Sequence, residues 1–92
     1  MMERRHYRIS GEVQGVGFRY RAQYAAQSLD LTGWVTNLDD GTVEMEAQGR
    51  ADNLDALMPT IARESRWIKI EDIDMTVVPV EHAERGFRVR GY

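Results

Sequence analysis

A two-layer α+β sandwich is what this 92-residue sequence predicts, and three observations predict it. Apolar and polar residues alternate in separate short segments, the two-residue period of strands with one buried face. In two intervening segments the apolar residues recur three and four positions apart, the period of an amphipathic helix. The order in which the segments follow one another then sets the topology.

Tyr7, Ile9, Gly11 and Val13 alternate with His6, Arg8, Ser10 and Glu12, which makes a first strand. After a turn at Gly15 and Gly17, Phe18, Ala22, Ala25, Ala26 and Leu29 recur at helical spacing, with Arg21, Gln23 and Gln27 on the opposite face. This helix is expected to end near Asp30. The run "LTGWVTNLDDGTVEMEAQG" reads as a hairpin, with a strand over Thr32 to Leu38, a turn at Asp39-Asp40-Gly41 and a return strand. In the return strand Val43, Met45 and Ala47 face away from Thr42, Glu44, Glu46 and Gln48. Asp52 is expected to N-cap a second helix with the apolar stripe Leu54, Leu57, Met58, Ile61 and Ala62, kinked at Pro59. Ile68 and Ile70 open a fourth strand, but Ile73, Met75 and Val77 lie on the other parity, which requires a bulge or break near Asp72. Phe87 and Val89 in "GFRVR" form a short closing strand.

The order is β-α-β-β-α-β, the split βαβ or ferredoxin-like arrangement: an antiparallel sheet with two helices on one face and a short extra C-terminal strand. Residues 1–92 are expected to form a single domain, with no internal repeat or linker. The first two strands, joined by a helical crossover, run parallel with the third between them. Asn37, at the end of the second, is therefore expected on the same rim as the glycine turn, roughly 10 Å across the sheet from its base.

Composition narrows the function. A net charge of -3 argues against a non-specific nucleic-acid binder, so any anion site has to be local. Zero cysteines exclude disulfides, thiolate nucleophiles and thiolate-bound metals, and suit a reducing compartment. No apolar run approaches the length of a membrane span, and Met1 to Arg8 is charged where a signal peptide would be apolar. A cytoplasmic protein without a membrane or nucleic-acid partner is the expectation.

The informative stretch is "VQGVGFRYR", Val13 to Arg21, because it places arginines in a helical first turn where the dipole and unpaired N–H groups favour acidic residues. Two readings compete. Gly15 and Gly17 can be a plain turn requiring positive φ. Alternatively the backbone N–H groups from about Gln14 to Arg19 converge into a nest, joined by the helix dipole and the Arg19 guanidinium, and form a phosphate-sized anion cradle. A bound anion would account for the arginines. The stretch is neither a nucleotide P-loop nor G-x-G-x-x-G. Asn37 reads either as a turn-initiating residue or, given the shared rim, as part of that site. Asp39 and Asp40 suit turn chemistry better than metal ligation, His6 and His82 read as isolated surface residues, and Arg63, Arg66 and Lys69 mix with Glu64 and Glu71 as a solvated face.

"GEVQGVGFRYRAQ" followed by "LTGWVTNLDDGTVEMEAQG" resembles the paired signature of the acylphosphatases, small enzymes of this fold that hydrolyse acyl phosphates, and the resemblance covers nearly the whole chain. It implies that Arg19 binds the substrate phosphate together with the loop amides of Gln14, Gly15, Val16, Gly17 and Phe18. It implies too that Asn37 holds the attacking water, that no metal or cofactor takes part, and that the substrate is a small-molecule acyl phosphate; a monomer is the expectation for the chain. One segment departs from the family pattern: where a Gly-Pro and then an Ala-x-Val often follow the second helix, this chain has Ser65-Arg66-Trp67. The departure bears on the loop before the fourth strand and on the acyl groups accepted. Two rival readings are a non-catalytic regulatory module that binds a small anion, and an isolated copy of the acylphosphatase-like module of hydrogenase-maturation carbamoyltransferases.

Overall fold

The computed structural model describes residues 1–63 and 65–91. Its elements are β1 (Met2–Glu12), α1 (Phe18–Ser28), β2 (Thr32–Asn37), β3 (Val43–Arg50), α2 (Ala51–Arg63), β4 (Lys69–Val78) and β5 (Phe87–Arg90). They form one sheet in the order β4-β1-β3-β2-β5. The first four strands pair antiparallel, so β3 separates β1 from β2 as the topology requires. The short closing strand adds to β2 in parallel, which makes the five-stranded sheet mixed.

Each helix packs the stripe that its sequence period predicts. On α1, Phe18, Ala22, Ala25 and Ala26 are buried, and the small alanines bring the helix close to the sheet. On α2 the buried residues are Leu54, Leu57 and Ile61. They meet Ile9, Val35, Val43 and Met45 from the inner face of the sheet, all without solvent exposure. Full burial of a side chain of this size contributes about 1.5–3 kcal/mol, so this layer supplies most of the driving force. Helix α1 stops where Asp30 turns left-handed at φ 59°, and Leu31 N–H returns to the Ala26 carbonyl at 2.8 Å.

Two expectations for α2 need correction. Strand β3 runs straight into the helix, so Asp52 lies inside the first turn rather than before it; its carboxylate accepts from Asn53 N–H and pairs with Arg50. Ala62 is exposed, because the stripe rotates away from the sheet by the last turn. The helix continues through Pro59, which faces solvent. The parity change in β4 is a β-bulge: Ser10 pairs with Asp72 and Gly11 with Ile70, leaving Glu71 as the extra residue.

The outer face of the sheet is not simply solvated. The connection between β4 and β5 folds over it and is tied to Arg4, whose side chain is 3% exposed and donates to Glu46 at 2.7 Å and Glu84 at 2.8 Å. Gln48 accepts from Glu81 N–H at 2.7 Å and donates to the Glu81 carbonyl at 3.0 Å. Partial burial pushes the Glu84 carboxyl up, but hydrogen bonds and charge from Arg4 more than offset it, and its pKa lies below the ordinary value. His6 departs from the isolated surface position expected of it. It is half-buried on this face, 2.8 Å from Glu44 and edge-on to Trp34, whereas His82 is exposed. This strap delivers β5 to the edge of β2, with Gly33 N–H on the Gly86 carbonyl at 3.1 Å.

Candidate active site

The glycine loop joins β1 to α1, and its conformation is what the sequence requires of it. Gly15 and Gly17 have φ of 74° and 80°, the left-handed region that strains any side chain bearing a Cβ. A Cβ at either position would meet nothing within 4 Å, so backbone conformation alone asks for glycine there. Gly17 is also the N-cap of α1 and offers no side-chain oxygen, and the first turn holds no acidic residue. The initial N–H groups of the helix therefore stay open, and among the described residues no hydrogen bond is made by the backbone N–H groups of Gly15 through Tyr20. Phe18 anchors the loop at 1% exposure in the core, and Val16 packs against the same core.

Arg19 stands in this first turn, against the dipole, with no carboxylate partner among the described residues. What holds it is a backbone carbonyl: Nη1 donates to the Arg90 oxygen, at the end of β5, at 3.0 Å. That bond aims the guanidinium without neutralising it. Arg19, Asn37, Gly15, Gly17 and Tyr20 line one cavity of about 150 Å³, so the two residues singled out in the sequence share a single small hollow. Asn37 Oδ1 is buried and, among the described residues, has no hydrogen-bond partner. An amide oxygen without a partner costs about 1–3 kcal/mol.

Gln14 does more than contribute an amide. Its side chain donates to the carbonyls of Leu38 at 2.7 Å and Thr42 at 2.8 Å, clamping the glycine loop to the β2–β3 hairpin that carries Asn37. The hairpin is stiff in its own right. Leu38 N–H meets the Thr42 carbonyl at 2.9 Å, and Asp40 accepts from the Thr42 hydroxyl at 2.6 Å and its N–H at 3.0 Å. Those two bonds, with Arg8 nearby, bring the Asp40 carboxyl down to about 2, so Asp40 does turn chemistry as its sequence context suggests. The Gln14→Ala variant is expected to lose on the order of ten- to a hundredfold in kcat through misplacement of Asn37. Both carbonyls keep a backbone donor, so stability should fall by only about 1–2 kcal/mol, read from the denaturant midpoint.

Arg90 and the Gln14 clamp are the site features that sequence reading missed. A backbone carbonyl leaves no mark in a side-chain pattern. For Gln14 the signal was present: a long amide in a turn otherwise made of Gly and Val.

A family model described as acylphosphatase matches residues 5–89. The chain belongs to the acylphosphatase family. The acylphosphatase of Clostridium acetobutylicum is 43% identical over 89 residues, 97% of this chain and 98% of its own. That of Geobacillus thermodenitrificans is 43% identical over 88 residues, covering 96% and 94%. The crystal structure of acylphosphatase from Bacillus subtilis aligns with a TM-score of 0.88 at 34% identity, over 99% of this chain and 100% of that one. The ferredoxin-like sandwich with its added C-terminal strand is thus an acylphosphatase fold.

Proposed function

We propose that this acylphosphatase hydrolyses the carboxyl-phosphate bond of acyl phosphates, releasing a carboxylate and inorganic phosphate, with Arg19 and Asn37 in separate roles. The loop amides and the Arg19 guanidinium hold the phosphoryl oxygens, where positive charge is most useful as the transferring group spreads its negative charge. Asn37 Oδ1 accepts a hydrogen bond from water and points the water's lone pair at phosphorus. The water oxygen bonds to phosphorus as the bond from phosphorus to the acyl oxygen breaks, and the carboxylate leaves with that electron pair. Its conjugate acid has a pKa of about 4, as for Asp and Glu side chains, so no general acid has to protonate it. The water's proton passes to a phosphate oxygen, since an amide cannot take it.

The observation that carries this reading is the buried, partnerless Asn37 Oδ1 in the same hollow as Arg19. A regulatory module that only binds a small anion has use for the cradle but none for an uncharged amide side chain lining the same hollow. Relatives that match along 94–98% of their own length are acylphosphatases, which favours hydrolysis over the carbamoyltransferase-module reading. We propose further that residues 1–92 act as a single domain and a monomer, since both functional side chains come from one chain. A cytoplasmic site of action without nucleic acid suits a sequence with no cysteine and a net charge of -3. Among the described residues no helix is long and apolar enough to cross a membrane.

Purified protein is expected to hydrolyse benzoyl phosphate, followed by loss of absorbance, at the same rate before and after exhaustive chelation. The positive charge in this reaction comes from Arg19 and the loop amides. Activity that disappeared with chelation and returned with a divalent ion would contradict it.

A further inference from the structure

A second cavity, of about 520 Å³, also borders the glycine loop. It is lined by Glu12, Gln14 and Val16 from the β1 side, by Arg66 and Trp67 from the segment between α2 and β4, and by Lys69 at the start of β4. That volume is in the range of small-molecule sites, and the hollow holding Arg19 and Asn37 shares a wall with it at Val13. Arg66 and Lys69 read in the sequence as part of a solvated face; Glu64, counted in that face, lies outside the described residues. Arg66 and Lys69 are exposed, as that reading expects, and both also line the cavity. The loop that carries Arg66 is shaped by Ser65, whose hydroxyl accepts from Trp67 N–H at 3.1 Å, and by Ile68, buried in the core. It leaves Trp67 65% exposed, an unusual position for the largest apolar side chain, with the Arg66 guanidinium 5.1 Å from the ring centroid.

Sheet order relates this cavity to the chemistry. Strand β4 flanks β1 on one side, and β2, which carries Asn37, lies two strands away on the other. In phosphoryl transfer the attacking and leaving oxygens lie roughly in line through phosphorus. A water held at Asn37 therefore directs the acyl oxygen away from β2, past Val16 and toward Trp67. Resting on the proposed roles of Arg19 and Asn37, we propose that this cavity receives the acyl group, and that Arg66 and Lys69 select acyl groups carrying a negative charge of their own. Val16 and the Trp67 ring contact the carbon skeleton. Lys69 is shared with Glu12 at 3.8 Å, a loose and exposed pair that a bound anion can displace. With a net charge of -3 the chain as a whole repels an additional anion, so any preference for one has to come from local cations.

The test compares three substrates: acetyl phosphate, too short to reach Trp67, benzoyl phosphate, and para-carboxybenzoyl phosphate, which adds a carboxylate to the same ring. At low salt the parent protein should favour the carboxylated substrate over benzoyl phosphate by about fivefold in kcat/KM, an advantage that 0.5 M salt and Arg66→Gln should each largely remove. Trp67→Ala should lower the ratio of benzoyl to acetyl phosphate kcat/KM by about tenfold, expressed in KM. A parent that shows no preference for the carboxylate, or a Trp67→Ala variant that leaves the benzoyl-to-acetyl ratio unmoved, overturns the subsite. Asn37→Ala, assayed in parallel with acetyl phosphate, reads the underlying reaction. Turnover retained there overturns the roles assigned at the cradle, whereas turnover lost with flat substrate ratios overturns the subsite alone.

Discussion

Replacing Arg19 by glutamine is expected to lower acyl phosphate turnover on the order of 10³- to 10⁵-fold, the range found when an arginine that neutralises a transferring phosphoryl group is removed. Glutamine keeps a polar tip but loses the charge and the planar fork of donors. Stability should move in a way that depends on phosphate. Without phosphate, the positive charge in the first turn of α1 opposes the dipole, so Arg19→Gln should match or exceed the parent by a few tenths of a kcal/mol. With phosphate, the parent gains RT ln(1 + [L]/Kd), about 2.7 kcal/mol at a hundredfold excess over Kd, and the variant gains little. Thermal midpoints of both proteins with and without inorganic phosphate check this. A variant that kept the full phosphate-induced shift would remove Arg19 from the anion site.

Asn37→Ala should fail differently. The cradle is intact in this variant, so inorganic phosphate should inhibit and stabilise it as it does the parent, while kcat falls by at least about 10² to 10³, the cost of losing one positioning contact in the transition state. The alternative is that Asn37 matters to the hairpin rather than to the reaction. The geometry argues against that, since its side-chain oxygen bonds to nothing among the described residues and the turn is closed by Leu38, Asp40, Gly41 and Thr42. Removing a buried acceptor that has no protein partner costs little, so the denaturant midpoint should stay near that of the parent. A large drop in midpoint together with the loss of turnover would return Asn37 to the role of a turn residue.

Most of the inner layer of this fold is legible in the sequence because it is written in local periods. Tyr7 and Ile9, Val43 to Ala47, and Leu54 to Ile61 each face where their spacing says. The parity change after Ile70 announces a real bulge. The outer layer is not legible in the same way. Arg4 and Gln48 sit at polar positions of ordinary alternating strands, and only the return of Glu81 and Glu84 over the sheet buries them. Such a cover depends on pairs far apart in the chain. Asp52 has the character of a cap but lies inside the helix for a related reason, because β3 and α2 meet without a connecting loop. At the site, glycine spacing and the first-turn arginine suggest an anion, and topology alone places Asn37 alongside. The Arg90 carbonyl that steadies Arg19 was out of reach, since it depends on β5 adding in parallel to β2.

The central claim is that water attacks phosphorus, held by the glycine loop and Arg19, rather than the acyl carbon. Hydrolysis of benzoyl phosphate in water enriched in oxygen-18, with mass analysis of both products after a single turnover, tests it most directly. Attack at phosphorus breaks the bond between phosphorus and the acyl oxygen, and the account predicts one labelled oxygen in inorganic phosphate and none in benzoate. Label in benzoate would mean that water reaches the carbonyl carbon instead, and would contradict the roles assigned to both Arg19 and Asn37.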